Sequence, residues 1–257
     1  MRYAGDLFRA FGENLREQKL ASNRTTPIGA GGYGVVYESD TPGNVIKQTI
    51  APDDSYYKDA PGENLMEAEA NLQAIAAELG IAPRVAGLET FRGGIGNRIE
   101  MEDIRKNFES HGHPEVAGFP QGMDAVRVNQ QLGQLALKNV RLEDRHNNNV
   151  MYNKMTGRPM QLDFGIAGKF NNDSEKAAYL SHVTAEGFEA AGIPEMGHIL
   201  RATVMDYLEG GDVAEGLDIA KQGFSRLQKI KAPLEGVERY KPNAATPGYA
   251  IEDFIPG

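Results

Sequence analysis

Asp144 and Asn149 stand five residues apart in Asp144-Arg145-His146-Asn147-Asn148-Asn149, and Asp163 opens an Asp-Phe-Gly fourteen residues beyond that Asn. The three side chains offer a carboxylate, a carboxamide oxygen and a second carboxylate. Phosphoryl transfer from a nucleotide needs little from a protein beyond such groups in the right places. One carboxylate orients the attacking hydroxyl, and two oxygen donors hold Mg²⁺ against the phosphates. In that chemistry Asp144 accepts the hydrogen bond of the acceptor hydroxyl, and Asn149 and Asp163 hold the metal. Alone, the first stretch could equally be a polar turn, because Asn-rich turns are common. Its surroundings add weight. Val150-Met151-Tyr152 and Met160-Gln161-Leu162, joined by Lys154-Met155-Thr156-Gly157, read as a hairpin that delivers Asn149 and Asp163 to one place.

A nucleotide also needs groups for its phosphates. Ile28-Gly29-Ala30-Gly31-Gly32-Tyr33-Gly34-Val35-Val36 fits G-x-G-x-x-G-x-V without a gap. Glycines at 29, 31 and 34 allow the backbone to turn sharply and approach phosphate oxygens. The same spacing occurs in dinucleotide folds, but there a helix follows, whereas strand formers follow here. Lys47 ends the apolar run Val45-Ile46-Lys47, one hairpin later, where it could reach the α- and β-phosphates. A lone strand-end lysine is usually solvated; this one lies where a phosphate ligand would be wanted. It then needs a carboxylate to hold it. Glu69 is preferred and Glu67 is the fallback, because Leu72 and Ile75 share the face of Glu69.

The elements that must position these groups follow from periodicity. Residues 26–50 read as strands, with a turn at Thr41-Pro42-Gly43-Asn44, and 51–62 as a loop. A helix is predicted over 64–79, stopped by Gly80 and Pro83, and strands over 85–89 and 98–102. Residues 105–123 look like a linker. Asp124 is a candidate N-cap for a helix to about Lys138. Further helices are expected near 174–191, 195–209 and 212–231. Tyr3, Leu7, Phe8, Phe11 and Leu15 suggest an amphipathic helix over 4–19, and the tail from Tyr240 an extended segment. The implied domains are a helical extension at 1–25, a sheet lobe at 26–104, a helical lobe at 105–239 and a tail at 240–257, with a cleft between the lobes.

Composition bounds the reading. The chain has 257 residues, of which 40% are hydrophobic, so it suits an ordered globular protein. A net charge of −9 argues against a nucleic-acid-binding surface. The absence of cysteine excludes disulfides and thiolate chemistry. No apolar run is long enough for a membrane span. His111 and His113 lack a second ligand cluster and read as loop residues; His182 and His198 read as ordinary helix residues.

Taken in order, the glycine loop, strand lysine, helix glutamate, Asp144 with Asn149, and Asp163-Phe164-Gly165 resemble the eukaryotic-type protein kinase superfamily. The resemblance runs from Ile28 to Gly165. It implies an α+β, bilobal protein-kinase-like fold, with a small antiparallel sheet and one main helix in one lobe and a mainly helical second lobe. It implies ATP and Mg²⁺ as cofactors. It also implies a hinge at Ile99–Ile104, with Met101 as gatekeeper, backbone groups from Glu102 to Ile104 against adenine, and Val36, like Ile28, over the ring. The usual His-Arg before the catalytic Asp is Leu142-Glu143 here, and no Ala-Pro-Glu follows Asp-Phe-Gly. Leu142 can pack against Phe164, but Glu143 would repel a phosphorylated loop. The activation segment is therefore expected to be short. That profile resembles compact atypical kinases, such as bacterial effector, phage-encoded, Bud32- or Rio-type enzymes. The expected activity is serine/threonine phosphorylation of a protein substrate, a host or phage-target protein, by a cytoplasmic enzyme or one delivered into a host cell. A small-molecule phosphotransferase and a silent binding module are the alternatives; the sequence leaves the oligomeric state open.

Overall fold

The computed structural model describes residues 27–30, 34–49, 65–89, 97–110, 119–143 and 146–231. The expected helix at 4–19, the 51–62 loop, the tip of the glycine loop, His111, His113, Asp144 and the tail lie outside them. The described residues form two compact units: those up to Ala77 with Pro83–Ile104, and Glu78–Ala82 with those from Arg105 onward.

The first unit is a five-stranded antiparallel sheet with one helix. Its strands are β1 (Pro27–Ala30), β2 (Gly34–Glu38), β3 (Asn44–Thr49), β4 (Val85–Glu89) and β5 (Arg98–Glu102), in the order β1-β2-β3-β5-β4. The turn between β2 and β3 closes with Asn44 N–H donating to the Thr41 carbonyl, and Gly43 takes the left-handed φ of +84° that the turn needs. Alternation along β3 puts Val45 and Lys47 on one face and Ile46 and Gln48 on the other. Helix α1 (Leu65–Glu78) covers the Val45 face, where Met66 and Ala70 join Val45, Ile99 and Met101 in an apolar core.

The second unit has a three-stranded sheet, β6 (Phe108–Ser110), β7 (Val150–Asn153) and β8 (Pro159–Gln161), and four helices. These are α2 (Gly122–Leu137), α3 (Asp173–Ala190), α4 (Pro194–Glu209) and α5 (Val213–Leu227). The fold class is α+β, and a small antiparallel sheet with one main helix in one unit and a mainly helical second unit agree with the architecture expected from the sequence.

Two expectations are corrected. The segment read as a linker contains β6, which pairs Phe108 with Asn153 and Ser110 with Met151. Three residues are too short for periodicity to register, and it is the partner strand that makes them a strand. Asp124 is not a cap. The helix starts earlier, with Gly122 at φ +54° and Gln121 as a cap without a side-chain bond, and Asp124 lies 3.5 Å from Arg127 one turn on.

The helices cross closely where small residues allow it. A Cβ added at Gly133 of α2 would lie 2.0 Å from the buried Phe224 ring of α5. Gly133→Ala gains about 1 kcal/mol of helix propensity and meets an overpacking cost of about 1–3 kcal/mol. The net expectation is a lower denaturation midpoint in urea; an unchanged or higher midpoint would show that Phe224 can move aside.

Candidate active site

The first unit builds a buried ion pair from the strand and helix registers. Lys47 lies opposite Val36 on β2 and Ile99 on β5. On α1, Glu69 lies between Met66 and Ala70, so it is carried inward with them, whereas Glu67 points to solvent. The Lys47 Nζ donates to Glu69 Oε1 at 2.5 Å. Lys47 is 8% exposed and Glu69 6%, so both charges are withdrawn from water and balance each other. Gly34 makes room for this lysine. A Cβ there would lie 3.3 Å from Lys47 Cε and 3.1 Å from the Gln48 carbonyl oxygen.

The residues expected around an adenine ring are placed as follows. Ile28 and Val36 are half-buried and pack against the Val45–Met101 core. Met101 is buried, and Glu102 at the end of β5 is exposed. The Glu102 amide donates to the Arg84 carbonyl at 2.9 Å, and the Asp103 amide to the Gly43 carbonyl at 2.9 Å. Ile104 is buried. Gly29 lies on β1 opposite Val36, while Gly31 is outside the described residues.

Sequence reading missed Gln73, one turn after Glu69 on α1. It is fully buried; its Nε2 donates to the Pro83 carbonyl at 3.0 Å and lies 3.5 Å from Met101 Sδ. Gln73 thereby ties the helix that carries Glu69 to the chain entering β4 and to Met101. The hydrophobic pattern gives no sign of it, because an amide at a core position reads as a surface residue.

The second unit carries Asn149 and Asp163. A single 3₁₀ turn, Asn147–Asn149, leads into β7, closed by Asn149 N–H donating to the His146 carbonyl. Beyond β8 the Leu162 amide donates to the Asn149 carbonyl at 2.9 Å. That bond sets the Asn149 backbone beside Leu162, the residue preceding Asp163. Asp163 Oδ1 accepts from the Gly165 amide at 2.9 Å, which sets the carboxylate within its own turn. Phe164 and Leu142 are both buried in this unit.

Behind β8, Gln161 Nε2 donates to Gln131 Oε1, and Gln131 Nε2 donates to the Pro159 carbonyl. The Gln161 amide donates to the Ile81 carbonyl. This polar backing holds β8, which ends two residues before Asp163. Among the described residues no group of three or more His, Asp or Glu side chains could enclose a metal. Asn149 and Asp163 each offer a hard oxygen donor, the ligand type that Mg²⁺ takes together with water and phosphate oxygens.

Of the other histidines, the half-buried His182 has its Nε2 3.1 Å from Glu186, and the exposed His198 has its Nε2 3.6 Å from Glu189. No helix among the described residues is long and apolar enough to cross a membrane.

Breaking one side of the Lys47–Glu69 pair strands a buried charge. Lys47→Met is expected to cost about 3–5 kcal/mol in a denaturant melt, whereas Lys47→Met with Glu69→Leu regains most of that loss. Equal losses in the single and double variants would show that the pair is not buried as described.

No protein-family model and no curated protein matches the sequence. Among solved structures, the chain is similar to the PknI kinase domain of Mycobacterium tuberculosis. The identity is 14% and the TM-score 0.46, over 78% of this chain and 95% of that one.

Proposed function

We propose that the protein is a compact, atypical serine/threonine-type protein kinase, using ATP and Mg²⁺. The observation that carries this is the buried Lys47–Glu69 pair. A structural role does not favour a charged pair there, since apolar residues would fill the site at least as well. A lysine held rigid beside a glycine-rich hairpin is suited to gripping the phosphates of a nucleotide.

In this reading Glu69 keeps the Lys47 ammonium charged and aimed at the α- and β-phosphates. Asn149 and Asp163 would hold Mg²⁺, which supplies charge against the β- and γ-phosphates. Asp144 accepts the hydrogen bond of the substrate hydroxyl and orients it for in-line attack. Glu102 and Asp103 use their amides within the fold. Adenine would therefore be read by the Glu102 carbonyl and by Ile104, with Ile28 and Val36 against the ring. The proposed acceptor is a Ser or Thr on a host or phage-target protein, and the site of action is cytoplasmic. The enzyme is proposed to work without activation-loop phosphorylation.

The test is purified protein with Mg-ATP, generic protein substrates and a panel of aminoglycosides and sugars, beside Asp163→Ala. Wild type should label a protein and Asp163→Ala should lose Mg²⁺-dependent transfer. Labelling confined to a small molecule would move the assignment to the alternative acceptor class. Identical transfer and nucleotide binding by wild type and variant would end the kinase reading.

A further inference from the structure

We propose that Arg141 is a positioning residue, holding the segment after Asp-Phe-Gly against the chain that leads into Asp144 with a permanent ion cluster in place of a phosphate. The proposal rests on the phosphoryl-transfer reading above. Arg141 and Gly168 exchange two main-chain hydrogen bonds, N–H to carbonyl at 2.7 and 2.9 Å. From that fixed point the Arg141 side chain reaches two carboxylates. Its Nε lies 3.1 Å from Glu143, the residue before Asp144, and its Nη1 lies 3.9 Å from Glu175 on the first turn of α3.

Glu175 is itself held. Its carboxylate accepts from the Asn171 backbone amide at 3.0 Å and from Asn171 Nδ2 at 3.0 and 3.2 Å. Those hydrogen bonds, with Arg141 a lesser contributor, hold its carboxyl below the usual carboxylate range, so it stays charged. The Glu175 amide donates to Asn172 Oδ1, capping α3. A second tie runs alongside: the Tyr179 hydroxyl donates to the Leu142 carbonyl at 2.6 Å, and its ring packs on Phe170.

The charge logic is the reverse of a phosphate-gated loop. There, cations gather around an introduced anion. Here a built-in cation gathers two carboxylates, and Glu143 would repel any phosphate added nearby. Residues 164–173 contain no Ser, Thr or Tyr, and the first hydroxyl after Asp-Phe-Gly is Ser174, on the first turn of α3 beside Glu175. A single exposed ion pair is worth little. A cation shared by two carboxylates and pinned by main-chain bonds instead sets geometry, which matters to rate more than to stability.

The experiment compares Arg141→Met, Arg141→Lys and Glu175→Gln with Arg201→Met. Arg201 makes an equally exposed pair with Glu189 on α3 and α4, remote from Arg141 in the sequence, and serves as the control. Readouts are kcat and KM for ATP, thermal midpoint and backbone hydrogen exchange. Arg141→Met should lower kcat about ten-fold or more, leave KM for ATP unchanged, and speed exchange at Arg141 and Gly168 alone. Arg141→Lys should recover part of the rate, Glu175→Gln should lose a smaller part, and Arg201→Met should match wild type. Unchanged kcat and exchange in Arg141→Met would overturn the proposal, as would a rate loss that tracks global destabilisation. Should Arg141→Met fail to fold, Glu175→Gln carries the test: wild-type rate and exchange there overturn it. If wild type transfers no phosphate, the kinase reading falls by itself. The exchange arm then decides whether Arg141 fixes this segment.

Discussion

A charged lysine under a sheet is tolerated only when something close by cancels its charge. In the first unit that constraint fixes the register of two elements at once. Lys47 must face the helix side of β3, and Glu69 must fall on the inward stripe of α1, between Met66 and Ala70. A one-residue slip in β3 would turn the ammonium to the other face and leave Glu69 buried alone. Gly34 opens the space that the lysine stem crosses, and Gln73 secures the same helix one turn further on. The sheet order and the apolar core thus share one electrostatic condition.

The second unit solves a different problem. Its functional candidates lie on short, irregular chain, where no helix or long strand can hold a side chain still. Main-chain bonds do that work instead. Leu162 bonds to Asn149, Arg141 to Gly168 and Gln161 to Ile81, and beside them the Asp163 carboxylate accepts from the Gly165 amide. Each bond satisfies a backbone group that a loop would otherwise expose to water or leave unpaired. The charged cluster at Arg141, Glu143 and Glu175 adds direction to that framework. Short loops of this kind can be stiff without being regular.

Much of this was legible in the residues. The turn at Gly43, the helix of 65–78 and the three later helices follow from periodicity, glycine and capping chemistry, and their boundaries shift by only a few residues. The Asp-Phe-Gly and the Asn-rich turn could be paired because a hairpin pattern lies between them. β6 was not legible, since three residues carry no period and the strand exists only through β7. Asp124 looked like a cap because its residue type suits one, yet Gly122 starts the helix earlier by adopting a positive φ. Gln73 and Arg141 passed unnoticed for the same reason: a polar residue announces nothing until its partners are known.

The sequence alone determined the residue types available for chemistry and the order in which the chain presents them. It also determined that the segment after Asp163 carries no hydroxyl for some ten residues. Those properties are local, so they can be read without a fold. Only the tertiary structure decided that Glu69 rather than Glu67 meets Lys47, because helix phase leaves both options open until the packed face is known. It alone decided that Arg141 stands between Glu143 and Glu175, residues separated by a strand pair and a turn. Charges interact through distance in space, and sequence records only distance along the chain.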